Sequence, residues 1–211
     1  MVQKRQDTLV RQEQIVDAAR KLIIRYGSEH VTVRRIAKQV GISEAAIYRH
    51  FKSKRDILSL LVDHIEHDLL ADFTTVSTQA RTPLEVLDSV LKGHLSAIER
   101  RRGISFQVIA EIISLGDKRL NRRVFETVNK YISCLKGLLC EGVKTGEIGE
   151  DVDPEATATI IFGTIQGLVN IWALSNYSFN PQERFESLWR ILSEAIIKRR
   201  TRIPKLGAAR C

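Results

Sequence analysis

Apolar residues recur at three- and four-residue spacing almost wherever this chain is read, and no stretch alternates with a period of two over the length of a strand. In the first segment they fall at Ile15, Ala18, Ala19, Leu22, Ile23 and Tyr26, with Gly27 placed to stop the helix. Such a chain buries its apolar stripes only by packing helix on helix, so the expected fold class is all-α. Breaks at Arg81-Thr82-Pro83, Arg102-Gly103, Leu115-Gly116-Asp117, Gly146 to Pro154 and Ser178 to Pro181 divide the later chain into predicted helices. These are 57–80, 83–101, 104–115, 118–144, 155–176 and 181–200.

The early part is cut finer. Thr32 can N-cap a short helix that turns Ile36, Ala37 and Val40 inward, and Gly41 can take the left-handed conformation that ends it. Ser43 caps a third helix, and Ser53 with Asp56 three residues on has the pattern of a capping box for a fourth. Two short helices joined at a glycine turn and braced by a longer first helix make a helix-turn-helix unit. Charge agrees with that unit. Residues 1–60 carry 13 Lys/Arg against 6 Asp/Glu, residues 61–197 carry 14 against 19, and residues 198–211 carry 6 against none. A basic head and a basic tail flank an acidic body, which is the electrostatic footprint of a protein whose head meets a polyanion. In GISEAAIYRHF (41–51) the small Ala45 and Ala46 allow close approach to a groove floor. Ile47 and Phe51 face the core, and Tyr48, Arg49 and His50 offer donors to phosphates or base edges.

The run VTVRRIAKQVGISEAAIYRHFKSKRDIL (31–58) resembles the signature of the tetracycline-repressor (TetR/AcrR) family of transcription regulators. The resemblance implies an N-terminal helix-turn-helix DNA-binding domain (1–52), a helical effector-binding and dimerisation domain (53–202) and a basic tail (203–211). It implies contacts with operator DNA from Thr32 and Arg34 on the second helix and from Ser43, Glu44, Ala45, Ala46, Tyr48, Arg49 and His50 on the recognition helix. Lys54, opening the fourth helix, is implied as a further phosphate partner. Glu44, Ala45 and Ala46 leave few long base-reading side chains. Sequence reading then rests on Arg34, Arg49, alanine contact with thymine methyls, and DNA shape.

Family members hold a small-molecule effector within the helices that correspond to 57–176, in an apolar cavity with few polar anchors. Candidates here are His94, Phe106, Ile109, Ile113, Phe125, Asn129, Tyr131 and Gln166. Gly163 and Gly167 share a helix face, and Leu188, Ile191, Leu192 and Ala195 stripe the last helix. Together they are candidates for a homodimer seam, the alternative for the glycine pair being a close crossing within one chain.

Other classes fit less well. No nucleophile stands at a usable spacing from a base, so an enzyme is not expected. Asp63-His64-Ile65-Glu66-His67-Asp68 lacks the HExxH order and reads as a solvated face, so no metal or cofactor is expected. Cys134 and Cys140 lie on poorly aligned helix faces, and a thiol-sensing regulator is one alternative; an architectural DNA-binding protein without an effector is the other. Three cysteines without a pairing pattern, and a basic N-terminus with no apolar run behind it, fit a cytoplasmic protein. The apolar run 160–174 contains Thr164, Gln166 and Asn170 and is shorter than the roughly 20 residues of a membrane span, so it is expected to be a buried helix or an interface.

Overall fold

The computed structural model describes residues 2–26, 31–75 and 82–197. Gly27, residues 76–81 and residues 198–211, on which earlier expectations fell, lie outside them. Among the described residues the elements are α1 (Val2–Tyr26), α2 (Val33–Val40), α3 (Glu44–Tyr48), α4 (Lys54–Thr75), α5 (Pro83–Arg100), α6 (Ile104–Leu115), α7 (Lys118–Thr145), α8 (Pro154–Leu174) and α9 (Pro181–Ile196). The fold is all-α, and the helices begin where local chemistry says they should. Thr32 Oγ1 accepts the Arg35 N–H at 3.2 Å and Ser43 Oγ accepts the Ala46 N–H at 3.1 Å. Thr82 and Glu85 complete a capping box, while Asp117, Asp153 and Asn180 cap α7, α8 and α9. Pro83, Pro154 and Pro181 each open a helix, where a missing N–H goes unmissed. The Asp56 carboxylate reaches back to the N–H groups of Lys52 and Ser53, so α4 opens at Lys54, where the Ser53/Asp56 pattern put it, rather than at 57, where the apolar periodicity did.

Two packed cores result. One holds Ile15, Ala19, Ile23 (α1), Ile36 (α2), Ile47 (α3), Ile57, Leu58, Leu61 and Ile65 (α4) together with Ile104, Val108 and Ile112 of α6. The other joins Leu87, Leu91 and Leu95 (α5) to Tyr131, Leu135 and Leu139 (α7), Ile161 and Ile165 (α8), and Phe185 and Trp189 (α9). The head therefore shares its core with α4 and α6 across the expected boundary at 52/53. The side chains by which α6 and α1 join that core are almost fully buried.

With 21 residues α8 is longer than the apolar run that the sequence suggested, and by length and composition it could cross a membrane. Its buried residues, Thr157, Ala158, Ile161, Ile165, Leu168, Val169 and Trp172, form a single stripe packed into the body. A lone antiparallel bridge joins Ile148, in the α7–α8 loop, to Ile197 after α9, with the Gly149 N–H bonded to the Ile196 carbonyl at 2.9 Å.

Candidate DNA-binding head and effector cavity

Gly41 makes the turn between α2 and α3 at φ 77°, ψ 34°, and its N–H and that of Ile42 both bond to the Ala37 carbonyl. A Cβ there would meet nothing within 4 Å, so glycine is required for conformation rather than for space. The turn sets α3 with Ile47 fully buried and Phe51 nearly so, which fixes what the other face presents. Thr32, Arg34, Ser43, Glu44, Ala45, Tyr48 and Arg49 are exposed, Tyr48 by 52%, while Ala46 and His50 are half-buried. Thr32 and Ser43 spend an oxygen lone pair on their caps and keep a hydroxyl hydrogen to donate. His50 Nδ1 is buried without a partner. The recognition helix is only five residues long, so Arg49 and His50 stand just past it.

Lys54, implied as a phosphate partner, has its ammonium half-buried and paired with Glu111 of α6. Among the described residues it is one of five Lys/Arg–carboxylate pairs that hold α4. Arg55 pairs with Asp117 at 3.0 Å, Asp63 with Arg123, Glu66 with Lys130, and Asp68 with Arg101. Lys130, aided by the Thr127 hydroxyl, which donates at 3.0 Å, holds the Glu66 carboxyl below the usual carboxylate range against partial burial. The Leu120 and Arg119 N–H groups and the Arg55 guanidinium do the same for Asp117. Each pair is partly solvated and individually weak. Together they tie the helix that leaves the head to α5, α6 and α7.

A narrow, partly open cavity of about 40 Å³ lies among α4, α5, α6, α7 and α8. Its walls are mostly apolar, with Asp68, His94, Arg101, Ser105 and Gln166 as the polar exceptions. Of the eight expected effector residues it gathers His94, Phe106, Ile109 and Gln166. Tyr131 is fully buried behind that wall, its ring 4.9 Å from His94 and 6.0 Å from Phe162. Ile113 and Phe125 are 65% and 62% exposed and Asn129 is exposed as well, so these three point to the surface and not to the cavity. Their stripe looked the same in sequence because α6 and α7 each carry apolar residues beyond the face their neighbours cover. Asp68, Arg101 and Phe162 went unseen, since what unites them is a junction of three helices. Burial pushes the His94 imidazole down to about 4, so it is a neutral donor and acceptor in the wall.

On α8, Ile160, Gly163, Gly167, Ile171 and Leu174 follow one another on an outward face, with Leu174 85% exposed. A Cβ on Gly163 or Gly167 would meet nothing within 4 Å, so among the described residues no helix crosses closely there. On α9, Ile191 (64% exposed) and Ala195 face outward and Leu188 and Leu192 are half-buried against the body. The two helices pack together and offer one apolar face. Cys134 and Cys140 are free thiols, and burial raises Cys134, which lowers its thiolate fraction and disfavours redox sensing there. His64 Nε2 lies 3.6 Å from Glu13, and His67 is exposed beside it.

Residues 15–61 match the family model for bacterial regulatory proteins of the tetR family, and residues 55–195 match that for the C-terminal region of YsiA-like proteins. The nucleoid occlusion factor SlmA of Vibrio atlanticus is 29% identical over 187 residues, covering 88% of this chain and 95% of that protein. The fatty acid metabolism regulator protein of Bacillus subtilis is 29% identical over 183 residues, covering 87% and 94%. The crystal structure of the Bacillus subtilis transcriptional regulator FadR in complex with stearoyl-CoA superposes with a TM-score of 0.77 at 28% identity, covering 87% of this chain and 98% of that one.

Proposed function

This chain belongs to the tetR family of bacterial regulatory proteins, and from that premise we propose that it is a cytoplasmic repressor, not an enzyme, released from its operator by an effector with an apolar body. It is a DNA-binding transcription regulator that acts as a homodimer. The observation that carries the effector reading is that Ile65, Asp68 and Leu69 of α4 wall the cavity, while α4 begins at Lys54 beside the recognition helix. A ligand that widens so narrow a space presses on the helix that leaves the DNA-binding head. The DNA contacts come from Thr32, Arg34, Ser43, Ala45, Tyr48 and Arg49, and the α8–α9 face forms the seam. Similarity to a regulator bound to stearoyl-CoA favours a fatty acyl thioester of coenzyme A as the effector class.

The test is operator titration by fluorescence anisotropy with and without coenzyme A thioesters of graded chain length. A coupling of 1 to 3 kcal/mol is typical, and by reciprocity operator must weaken thioester binding by the same factor. Equal thioester affinities with and without operator would leave a passenger in the cavity. A second reading is an architectural DNA-binding protein without an effector, with which similarity to a nucleoid occlusion factor is compatible; it would be favoured if no thioester raised the melting temperature.

A further inference from the structure

One ionic contact faces the cavity, and it joins α4 to the corner between α5 and α6. Arg101 caps the C-terminal end of α5, its own N–H bonded to the Ala97 carbonyl at 3.2 Å, and its guanidinium pairs with Asp68 through Nη1. Both side chains line the cavity and both are about a third exposed, so a ligand can reach them. Among the described residues no other Lys or Arg lines that space. We propose that Arg101 anchors the anionic head group of the effector, which takes the guanidinium from Asp68 while an apolar tail fills the space between Phe106, Ile109 and Phe162. This rests on the cavity being the effector site.

Three features favour an anion over a neutral head. A guanidinium offers five donors in a fixed fork that matches a carboxylate or phosphate, and Asp68 engages Nη1 alone. Arg101 is the middle of three consecutive arginines. Among the described residues Arg100 and Arg102 have no carboxylate within 4 Å: Arg100 donates to Ser96 Oγ at 2.5 Å, and Arg102 lies 4.7 Å over the Tyr177 ring. The carboxylate of neighbouring Glu99 is taken up by the Gln182 amide at 2.6 Å. The corner therefore carries more positive charge than its acids neutralise, next to an apolar space whose histidine is uncharged.

The exchange has a mechanical side. Asp68 stands fourteen residues beyond Lys54, about 21 Å along α4. When an anion occupies Arg101, α4 loses its tie to the α5–α6 corner, and the tail widens the wall that α4 shares. The effector class is thus an amphipathic anion, and its head is a carboxylate or a phosphate.

Full-length protein is titrated calorimetrically with palmitoyl-CoA, palmitate and hexadecanol, each below its micellar concentration, as wild type, Arg101→Gln and Asp68→Asn. Wild type should bind at least one of the anions on the order of 10-fold or more tighter than the alcohol, as expected for a charge-assisted bond. Palmitate alone would identify a carboxylate head, and palmitoyl-CoA alone a phosphate head. Arg101→Gln should erase the preference, while Asp68→Asn, which removes the competitor, should tighten anion binding several-fold, a gain that misfolding cannot produce. Equal affinity for anions and alcohol in wild type, an anion preference that survives Arg101→Gln, or no gain in Asp68→Asn would overturn the head-group assignment and leave the cavity reading standing. Failure of all three probes to bind wild type would remove both.

Discussion

Burial keeps the His94 ring neutral, its pKa pushed down to about 4 from an ordinary 6.5. The unfolded chain takes up a proton near pH 6.5 and the folded chain does not until about pH 4, so the ring's contribution to stability is complete above 6.5 and is lost as the pH falls toward 4. The slope is about 1.4 kcal/mol per unit. Between pH 7 and pH 5 wild type should lose about 2 kcal/mol more than His94→Gln, as measured by urea unfolding at the two pH values. Lys54 poses a different question, because a phosphate must compete with Glu111 for its ammonium. Lys54→Ala should reduce the slope of log affinity against log salt by about one, and Glu111→Gln should tighten binding to any DNA sequence. An unchanged slope for Lys54→Ala would mean that this lysine stays with Glu111 and is no DNA contact. The exposure of Tyr48 and Arg49 was legible because Ile47 and Phe51 are plainly the buried partners in a one-turn helix. The pairing of Lys54 was not, since Glu111 is 57 residues away and either residue alone resembles any surface charge.

At the scale of helices, what could be read was what is local. Capping depends on residues two or three apart, so Thr32 and Ser43 announced their helices before any packing was known, while Thr82, Asp117 and Asn180 were legible only as parts of the breaks between helices. The Gly41 turn is of the same kind. Gly41→Ala puts a Cβ into open space but forces an alanine to φ near 77°, and should cost about 1 to 2 kcal/mol with the DNA contacts intact; thermal unfolding measures it. Gly41→Asn should cost less, since asparagine tolerates that region better. The cavity was half legible. Phe106 and Ile109 face it, whereas Ile113, four residues on, lies near the end of α6 and is exposed, and Phe125 stands on the outer side of α7. Periodicity finds an apolar stripe but not the place where its neighbours stop covering it. For α8 the stripe told even less, because its inner face packs into the body while its outer face is apolar and exposed as well.

For the whole molecule, dimerisation couples two heads. Two recognition helices should read a pseudo-palindrome whose half-sites lie about one helical turn, 34 to 36 Å, or a multiple of it apart, which footprinting would show. Gly167→Arg places a long charged side chain on the proposed α8–α9 seam, and should shift sedimentation from dimer to monomer at micromolar concentration and abolish operator binding. A dimer unaffected by that change would move the seam elsewhere. The apolar face that carries Ile160, Ile171, Leu174 and Ile191 also bears on how a cell meters this protein. If chains separate at the low copy numbers of a transcription factor, operator occupancy rises with the square of their concentration, so a twofold change in expression becomes a fourfold change in the bound form. The regulated genes would then respond to the regulator's own abundance as a threshold, a second control that acts even when the effector is absent.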